Sequence, residues 1–101
     1  MIVRIWHGWT LPENADEYEA MIKQEIFDGI RSREIKGLLD LKLLRRDVPG
    51  EVEFVTILEF DSMEAVREFA GDDYERSVIY PDAKRLFTRY DERSQHYELL
   101  V

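Results

Sequence analysis

The predicted β-strands of this chain carry large apolar side chains on both faces, and this limits the folds that it can adopt. Residues 2–9 read Ile-Val-Arg-Ile-Trp-His-Gly-Trp, and residues 52–60 read Val-Glu-Phe-Val-Thr-Ile-Leu-Glu-Phe. Side chains alternate between the two faces of a strand, so both faces receive apolar groups. A sheet with one face in water alternates more cleanly between apolar and polar residues. Each face of the sheet therefore needs a covering layer.

The order of the predicted elements points to one arrangement. Four strands are predicted, over residues 2–9, 38–46, 52–60 and 92–100. Asp47-Val48-Pro49-Gly50 is a turn signal that joins the second and third strands in a hairpin. A helix follows the first strand and another follows the third, which gives the order β-α-β-β-α-β. This is the ferredoxin-like order of an α+β fold with an antiparallel sheet, and we expect one domain over residues 1–101.

The helices are predicted from apolar residues at helical spacing and from capping residues. Asn14 is the predicted N-cap of the first helix, whose apolar stripe is Tyr18, Met21, Ile22, Ile26 and Ile30. Asp61 is the predicted N-cap of the second helix, which Gly71 ends. Pro81 is predicted to begin a short helix that continues through Phe87. Such helices cover one face of the sheet, so a second copy of the chain is expected on the other.

Composition and charge exclude several classes of function. The chain has 22 acidic and 14 basic residues, a net charge of −8, which disfavours a nucleic-acid partner. Cysteine is absent, which excludes disulfides, thiolate metal ligands and cysteine nucleophiles. Two histidines without a nearby carboxylate cluster predict no metal site. No signal peptide or membrane-spanning run is recognised, so we expect a cytoplasmic protein with no membrane partner.

Two stretches of the chain carry a resemblance to a known family. One is Trp-His-Gly-Trp-Thr at residues 6–10 with the helix after it, and the other is the strand-to-helix join at residues 54–69. Together they resemble the antibiotic biosynthesis monooxygenase domain over nearly the whole chain. The resemblance implies a homodimer in which two sheets form a dimeric α+β barrel, with a pocket between each sheet and its helices. It also implies, for some members, oxidation of aromatic, polyketide-like phenols by dioxygen without a metal or an organic cofactor.

Other members of that family degrade haem, and their motif is missing from this chain. They carry an Asn on the first strand, a Trp late in the second helix and a haem-ligating His about three turns beyond it. The corresponding positions hold Trp6 or His7, then Phe69, then Ile79 or Tyr80. The resemblance therefore favours a cofactor-independent monooxygenase acting on a small aromatic substrate.

Such an oxygenation needs donors that stabilise an anionic phenolate or carbanion, and an apolar wall that holds the ring. We expect His7 and Tyr74 to be the catalytic residues; an imidazole with a pKa near neutrality can accept a phenolic proton. The predicted substrate-binding residues are Arg4, Trp6, Trp9, Glu59, Phe69, Tyr80 and His96.

Each candidate also has a structural interpretation. Trp6 and Trp9 lie on opposite faces of one strand, so one packs beneath the helices and the other faces the barrel. Glu59, if buried, needs a partner, which Arg4 or Arg89 can supply. Each histidine is equally well explained as a structural or interface residue.

Three functions stay open at this point. The first is the monooxygenase; the second is a non-catalytic dimeric module that binds a small molecule or a protein. The third is an isomerase or a decarboxylase-like activity in the same pocket. An enzyme predicts that at least one of the His or Tyr candidates points into a closed cavity near Arg4 or another donor. A binding or structural module predicts a cavity filled by Trp6, Phe54 and leucines.

Overall fold

The first strand is the centre of the sheet in the computed structural model, which describes residues 1–101. Strand β1 (Ile2–Thr10) pairs antiparallel with β3 (Glu51–Phe60), and β3 pairs antiparallel with β2 (Leu38–Val48). On its other edge β1 pairs with two short strands, β4 (Phe87–Tyr90) and β5 (Gln95–Glu98). The spatial order β2-β3-β1-β4, with β5 also beside β1, is antiparallel and ferredoxin-like. The predicted α+β fold class is confirmed.

The helices all lie between strands and follow the predicted order. After β1 come α1 (Pro12–Met21), a π-helical turn (Ile22–Ile26) and α2 (Phe27–Ser32), which run on without a break. Helix α3 (Met63–Ala70) follows β3, and the short α4 (Pro81–Lys84) precedes β4. The predicted stripe on the first helix is buried at Tyr18, Ile22, Ile26 and Ile30. None of the helices combines the length and the apolar character needed to cross a bilayer.

Alternation along the strands divides the sheet into two unlike faces. The inner face, beneath the helices, holds the buried residues of β1 and β3: Arg4, Trp6, Gly8, Thr10, Val52, Phe54, Thr56, Leu58 and Phe60. The outer face places Ile5 opposite Ile57 and Leu44 opposite Val55. Leu44 is 51% exposed, and Tyr97, opposite Val3, is 55% exposed. The outer face thus has an apolar centre, with charged residues such as Lys42 and Glu59 beside it, and no second layer within one chain.

Two predicted N-caps are wrong. Helix α1 begins at Pro12, with Leu11 as its N-cap and no side-chain cap, because proline needs no hydrogen-bond acceptor at the first helical position. Asn14 therefore lies inside the helix. Helix α3 is capped by Ser62, whose Oγ accepts from the backbone N–H of Ala65 at 3.3 Å, and Asp61 precedes the cap.

The end of the chain differs from the prediction of one strand over residues 92–100. Two strands lie beside β1 here, and Phe87 begins β4 instead of ending a helix. Between these strands Asp91 stays bonded to β1, whereas Ser94 bonds to the segment after α3. The Asp91 carboxylate accepts from the N–H of His7, and the N–H of Ser94 donates to the carbonyl of Glu75. These bonds interrupt what would otherwise be one continuous strand.

Strand β2 departs from simple alternation at Leu39. Alternation predicts that Leu39 shares a face with Leu41 and Leu43, but the pairing register shifts between Leu38 and Asp40. This irregularity removes Leu39 from the alternation, because an extra residue in one strand has no partner opposite it. Leu39 is 55% exposed, whereas Leu41 and Leu43 pack against the core.

Two glycines give a test of this packing. A Cβ on Gly8 would lie 2.6 Å from Cη2 of Trp6 and 2.9 Å from Cε1 of Phe87, whereas one on Gly29 of α2 would meet open space. We expect Gly8→Ala to lower the free energy of unfolding by about 1–3 kcal/mol through overpacking. Gly29→Ala, the matched control, should raise it by about 0.5–1 kcal/mol, because alanine favours the helix. Denaturant unfolding measures both; equal stability of the two variants would contradict the packing of Trp6 over Gly8.

Candidate functional site

An apolar cavity of about 60 Å³ lies between the inner face of the sheet and the helices. Thirteen of its sixteen lining residues are hydrophobic. The π-helical turn supplies Ile22 and Ile26 to its wall, and the sheet supplies Trp6 and Leu58. Turns of π-helix are frequent at functional sites. The cavity follows from the same alternation that buries the inner face of β1.

Arg4 is the charged group in the wall of this cavity. Its side chain points inward from β1, and the residue is 3% exposed. Its Nη1 donates to the carbonyl oxygen of Tyr74 at 2.5 Å and to Nε2 of His96 at 3.0 Å, and its Nη2 donates to the carbonyl oxygen of Arg76 at 3.2 Å. The Nε–H and the second hydrogen of Nη2 have no partner in the protein.

No carboxylate pairs with Arg4, although the chain forms a dozen ion pairs elsewhere. Burial lowers the pKa of Arg4 to about 10, and the neighbouring Tyr80 opposes this effect. A buried cation without a counter-ion is costly. Arg4 therefore makes this end of the cavity a place where a negative charge is favoured.

Ser94 and Tyr80 complete the polar end of the cavity. Ser94 is 3% exposed and lines the cavity, and its buried Oγ has no hydrogen-bond partner. Burial raises the pKa of the Tyr80 hydroxyl, while the positive charges of Arg33 and Arg4 act to lower it. With Tyr18 and Thr56, four hydroxyl-bearing residues thus line the same cavity as the guanidinium. No pattern in the sequence selects Ser94, because its position depends on the turn between β4 and β5.

His96 lies behind Arg4 and outside the lining of the cavity. A guanidinium can only donate, so Nε2 of His96 accepts the bond and the neutral ring carries its proton on Nδ1. That Nδ1 is buried without a partner. Burial, followed by the positive charge of Arg4, lowers the pKa of His96, so the ring is neutral at pH 7. The ring of Tyr74 meets the imidazole edge-on at 5.2 Å between centroids.

Residues 77–80, here called the strap, form one wall of the cavity. Its Val78, Ile79 and Tyr80 line the cavity, and their backbone N–H groups have no hydrogen-bond partner in the protein. The strap is held at one end by Ser77, whose Oγ accepts from Nε1 of Trp6 at 3.0 Å. At the other end the carbonyl of Tyr80 accepts the first bonds of α4. Side-chain packing alone therefore holds the middle of the strap.

A groove of about 450 Å³ lies on the outer side of the strap. It shares four wall residues with the cavity, Ile26, Ile30, Val78 and Tyr80. Its charged residues are Arg33, Glu25 and Asp82. Arg33 donates to the carbonyls of Phe69 and Glu68 and makes no ion pair. A movement of Val78 and Tyr80 would join the groove to the cavity.

The structure brings together six of the nine residues singled out in the sequence. Four line the cavity, namely Arg4, Trp6, Phe69 and Tyr80. Two more, Tyr74 and His96, contact Arg4 from behind. The other three, His7, Trp9 and Glu59, lie on the outer face of the sheet, because each is an odd number of positions from an inward-facing neighbour on its strand.

The three outward residues have partners of their own. His7 Nδ1 lies 2.7 Å from the Asp91 carboxylate, and the His7 ring stacks on Trp9 with 6.0 Å between centroids. The Arg89 guanidinium lies 3.9 Å from the centroid of the Trp9 ring.

The expected partner of Glu59 is wrong. Glu59 pairs with Lys42 at 3.2 Å and not with Arg4 or Arg89, because Lys42 lies beside it on the outer face of β2. Arg89 pairs instead with Glu51.

The fold matches those of solved proteins with little sequence similarity. An antibiotic biosynthesis monooxygenase covers 100% of both chains with a TM-score of 0.67 and 17% identity. A Bacillus cereus protein assigned to the same group covers 95% of this chain and 89% of its own, with a TM-score of 0.65 and 18% identity. The haem degrader MhuD of Mycobacterium tuberculosis has two haems in its active site. Its match covers 100% of this chain and 97% of its own, with a TM-score of 0.63 and 19% identity.

These likenesses confirm the expected resemblance at the level of the fold. No protein-family model matches the chain, and no curated protein matches it in sequence.

The residues of this chain do not fit a haem group. No histidine lines the cavity, since His7 lies on the outer face and His96 Nε2 is bonded to Arg4. The cavity of about 60 Å³ is also far smaller than a macrocycle. No group of three or more His, Asp or Glu side chains is placed to hold a metal ion.

The state of His96 can be measured directly. We expect its imidazole to titrate below the ordinary pKa of about 6.5, because burial and Arg4 disfavour the charged ring. Arg4→Met should raise the midpoint, since it removes the second of these causes. Proton NMR titration follows the ring, with assignment from His96→Gln and with Arg31→Met on the surface as the control. A midpoint that Arg4→Met leaves unchanged would contradict the contact between the two residues.

Proposed function

We propose that this protein is a cofactor-independent monooxygenase that oxidises a small, acidic aromatic molecule with dioxygen. One observation carries the proposal: Arg4 is buried in the wall of an apolar cavity with no carboxylate partner and with two unused N–H donors. An electron-rich aromatic compound reacts with dioxygen once it has become an anion. Preorganised donors in a water-poor site stabilise such an anion strongly.

The reaction needs a proton acceptor and a place for the negative charge. The substrate loses a proton, the anion combines with dioxygen by electron transfer and radical recombination, and the resulting hydroperoxide loses water. One oxygen atom stays on the substrate as a carbonyl and the other leaves as water. Arg4 holds the anion. Deprotonation by His96 requires the guanidinium to release Nε2, which it contacts at 3.0 Å from outside the cavity lining, and the substrate to reach that nitrogen. We prefer His96 to His7 as the base, because His7 lies on the outer face of the sheet.

The apolar wall gives this chemistry its second requirement. The aromatic rings of Trp6, Phe69 and Phe87 line the cavity and provide flat surfaces for an aromatic substrate. The strap separates this space from the groove outside, so a bound anion is kept from water. Exclusion of water strengthens the attraction between Arg4 and the anion.

The second candidate is a non-catalytic dimeric module that binds an acidic small molecule in the same cavity. It is favoured by the bond between His96 and Arg4, which occupies the lone pair that a base would use. An isomerase or a decarboxylase-like enzyme would also use an anion at Arg4. Consumption of dioxygen separates the monooxygenase from all of these.

We also propose that two copies of the chain pair through their outer sheet faces. Val3, Ile5, Val55, Ile57 and Leu44 project from that face, and no element of the chain covers them. Burial of apolar surface is worth roughly 25 cal/mol per Å². A second sheet would supply the missing layer and close a dimeric α+β barrel.

Oxygen uptake tests the monooxygenase proposal. A panel of quinols, dihydroxybenzoates and an anthrone is supplied to the purified protein with and without a chelator. We expect uptake that the chelator leaves unchanged. Arg4→Met should lower the rate by about 10²–10³, the loss typical of removing one anion-stabilising donor.

The control for this assay is Arg31→Met, which removes an exposed arginine paired with Asp28 on α2. It should keep the rate of the unmodified protein. An absence of uptake with every compound would favour the binding module. A full rate in Arg4→Met would show that Arg4 does not hold the anion.

Light scattering tests the pairing of two chains. We expect a mass of twice the 12.1 kDa of one chain. Ile5→Glu should shift the mass to that of a monomer, because a buried unpaired carboxylate in the interface is costly. Leu11→Glu is the matched control, since Leu11 is 42% exposed and lies beyond the end of β1, at the N-cap of α1. If the unmodified protein is a stable monomer at working concentration, the proposed interface is wrong.

A further inference from the structure

We propose that the ligand of the cavity is a single-ring aromatic acid with a hydroxyl group beside its carboxylate, the 2-hydroxybenzoate class. The carboxylate binds Arg4, the hydroxyl meets Ser94, and the ring lies among the aromatic side chains. This deepens the proposed function, on which it rests for the role of the cavity. Binding is measured without turnover, so the two proposals can fail separately.

The charge of the ligand is inferred from the donors that Arg4 leaves unused. The Nε–H and one Nη2–H lie on adjacent nitrogens and have no partner. Such a fork matches the two oxygens of one carboxylate. The three bonds that Arg4 does make go to neutral acceptors, so its positive charge is uncompensated.

Ser94 supplies an independent observation. Its Oγ is buried, lines the same cavity as Arg4 and has no partner in the protein. A buried hydroxyl without a partner is costly, and few are found in native proteins. A second oxygen on the ligand, next to the carboxylate, would satisfy it. This is why a 2-hydroxy acid fits better than a simple carboxylic acid.

The size of the ligand follows from the volume of the cavity. A cavity of about 150 Å³ holds benzene in a well-studied engineered protein, whereas this one has about 60 Å³. One ring therefore already requires the strap to yield, whereas three fused rings would also have to occupy the groove outside it. The polyketide-like size suggested by the family resemblance is the less suitable one.

The route to the cavity passes the groove outside the strap. Arg33 of the groove and Arg4 of the cavity lie against the same ring, Phe69, at 5.5 Å and 5.3 Å from its centroid. Tyr80 lines both spaces. Glu25 and Asp82 also face the groove, so its charge is mixed and the selection of an anion falls to Arg4.

Isothermal titration of the full chain with four probes tests the inference. The probes are 2-hydroxybenzoate, phenol without the carboxylate, benzoate without the hydroxyl, and 1-anthracenecarboxylate with three rings. We expect 2-hydroxybenzoate to bind most tightly and phenol at least about tenfold more weakly, as loss of a charged hydrogen bond implies. The anthracene acid should not bind measurably.

Two variants assign the contacts. Arg4→Met should weaken 2-hydroxybenzoate at least about tenfold. Ser94→Ala should bring its affinity down to that of benzoate, while Arg31→Met leaves all affinities unchanged. If Arg4→Met does not fold, the four probes and the Ser94→Ala variant still test whether the ligand needs a carboxylate and a neighbouring hydroxyl.

Other results would overturn the inference. Phenol that binds as well as 2-hydroxybenzoate would remove the carboxylate from the argument, and tighter binding of the anthracene acid would remove the size limit. Binding without oxygen consumption would reject the monooxygenase and leave the ligand class standing. Oxygen consumption confined to uncharged phenols would reject the ligand class alone.

Discussion

The hydrogen bonds of Arg4 connect the parts of this molecule on which the cavity depends. Through the carbonyls of Tyr74 and Arg76 the guanidinium fixes the segment after α3 to the central strand. That segment also pairs with the turn between β4 and β5. The backbone N–H of Ser77 donates to the carbonyl of Glu92, and the N–H of Ser94 donates to the carbonyl of Glu75. Ser77, the first residue of the strap, makes the last of these backbone hydrogen bonds. Arg4, an inward-facing residue of β1, thus holds the segment that leads into the strap.

Much of the fold was predictable because its signals are local and periodic. Alternation over β3 and the apolar stripe of the first helix match the buried residues of both elements. The errors arose where a distant contact overrides a local preference. The split between β4 and β5 depends on the Asp91 carboxylate reaching His7, more than eighty positions earlier in the chain. The irregularity at Leu39 depends on pairing with β3, which no local pattern of β2 records.

The site was predicted in part, for a similar reason. Arg4, Trp6, Phe69 and Tyr80 line one cavity because they are large or charged groups on inward-facing positions. His7 and Trp9 could have been separated from them by parity alone, since Arg4 and Trp6 occupy even positions of β1 and these two occupy odd ones. Ser94 had no such signal, because only the turn between β4 and β5 brings it into the wall of the cavity.

The strap has a consequence for kinetics. Because its central amides are not bonded to other parts of the protein, its opening breaks packing contacts but no backbone ladder. Opening of this kind occurs locally, without unfolding of the sheet. Both arrival and departure of a molecule held at Arg4 would then be timed by the same fluctuation. The residence time of a ligand would reflect the mobility of four residues more than the strength of its contacts.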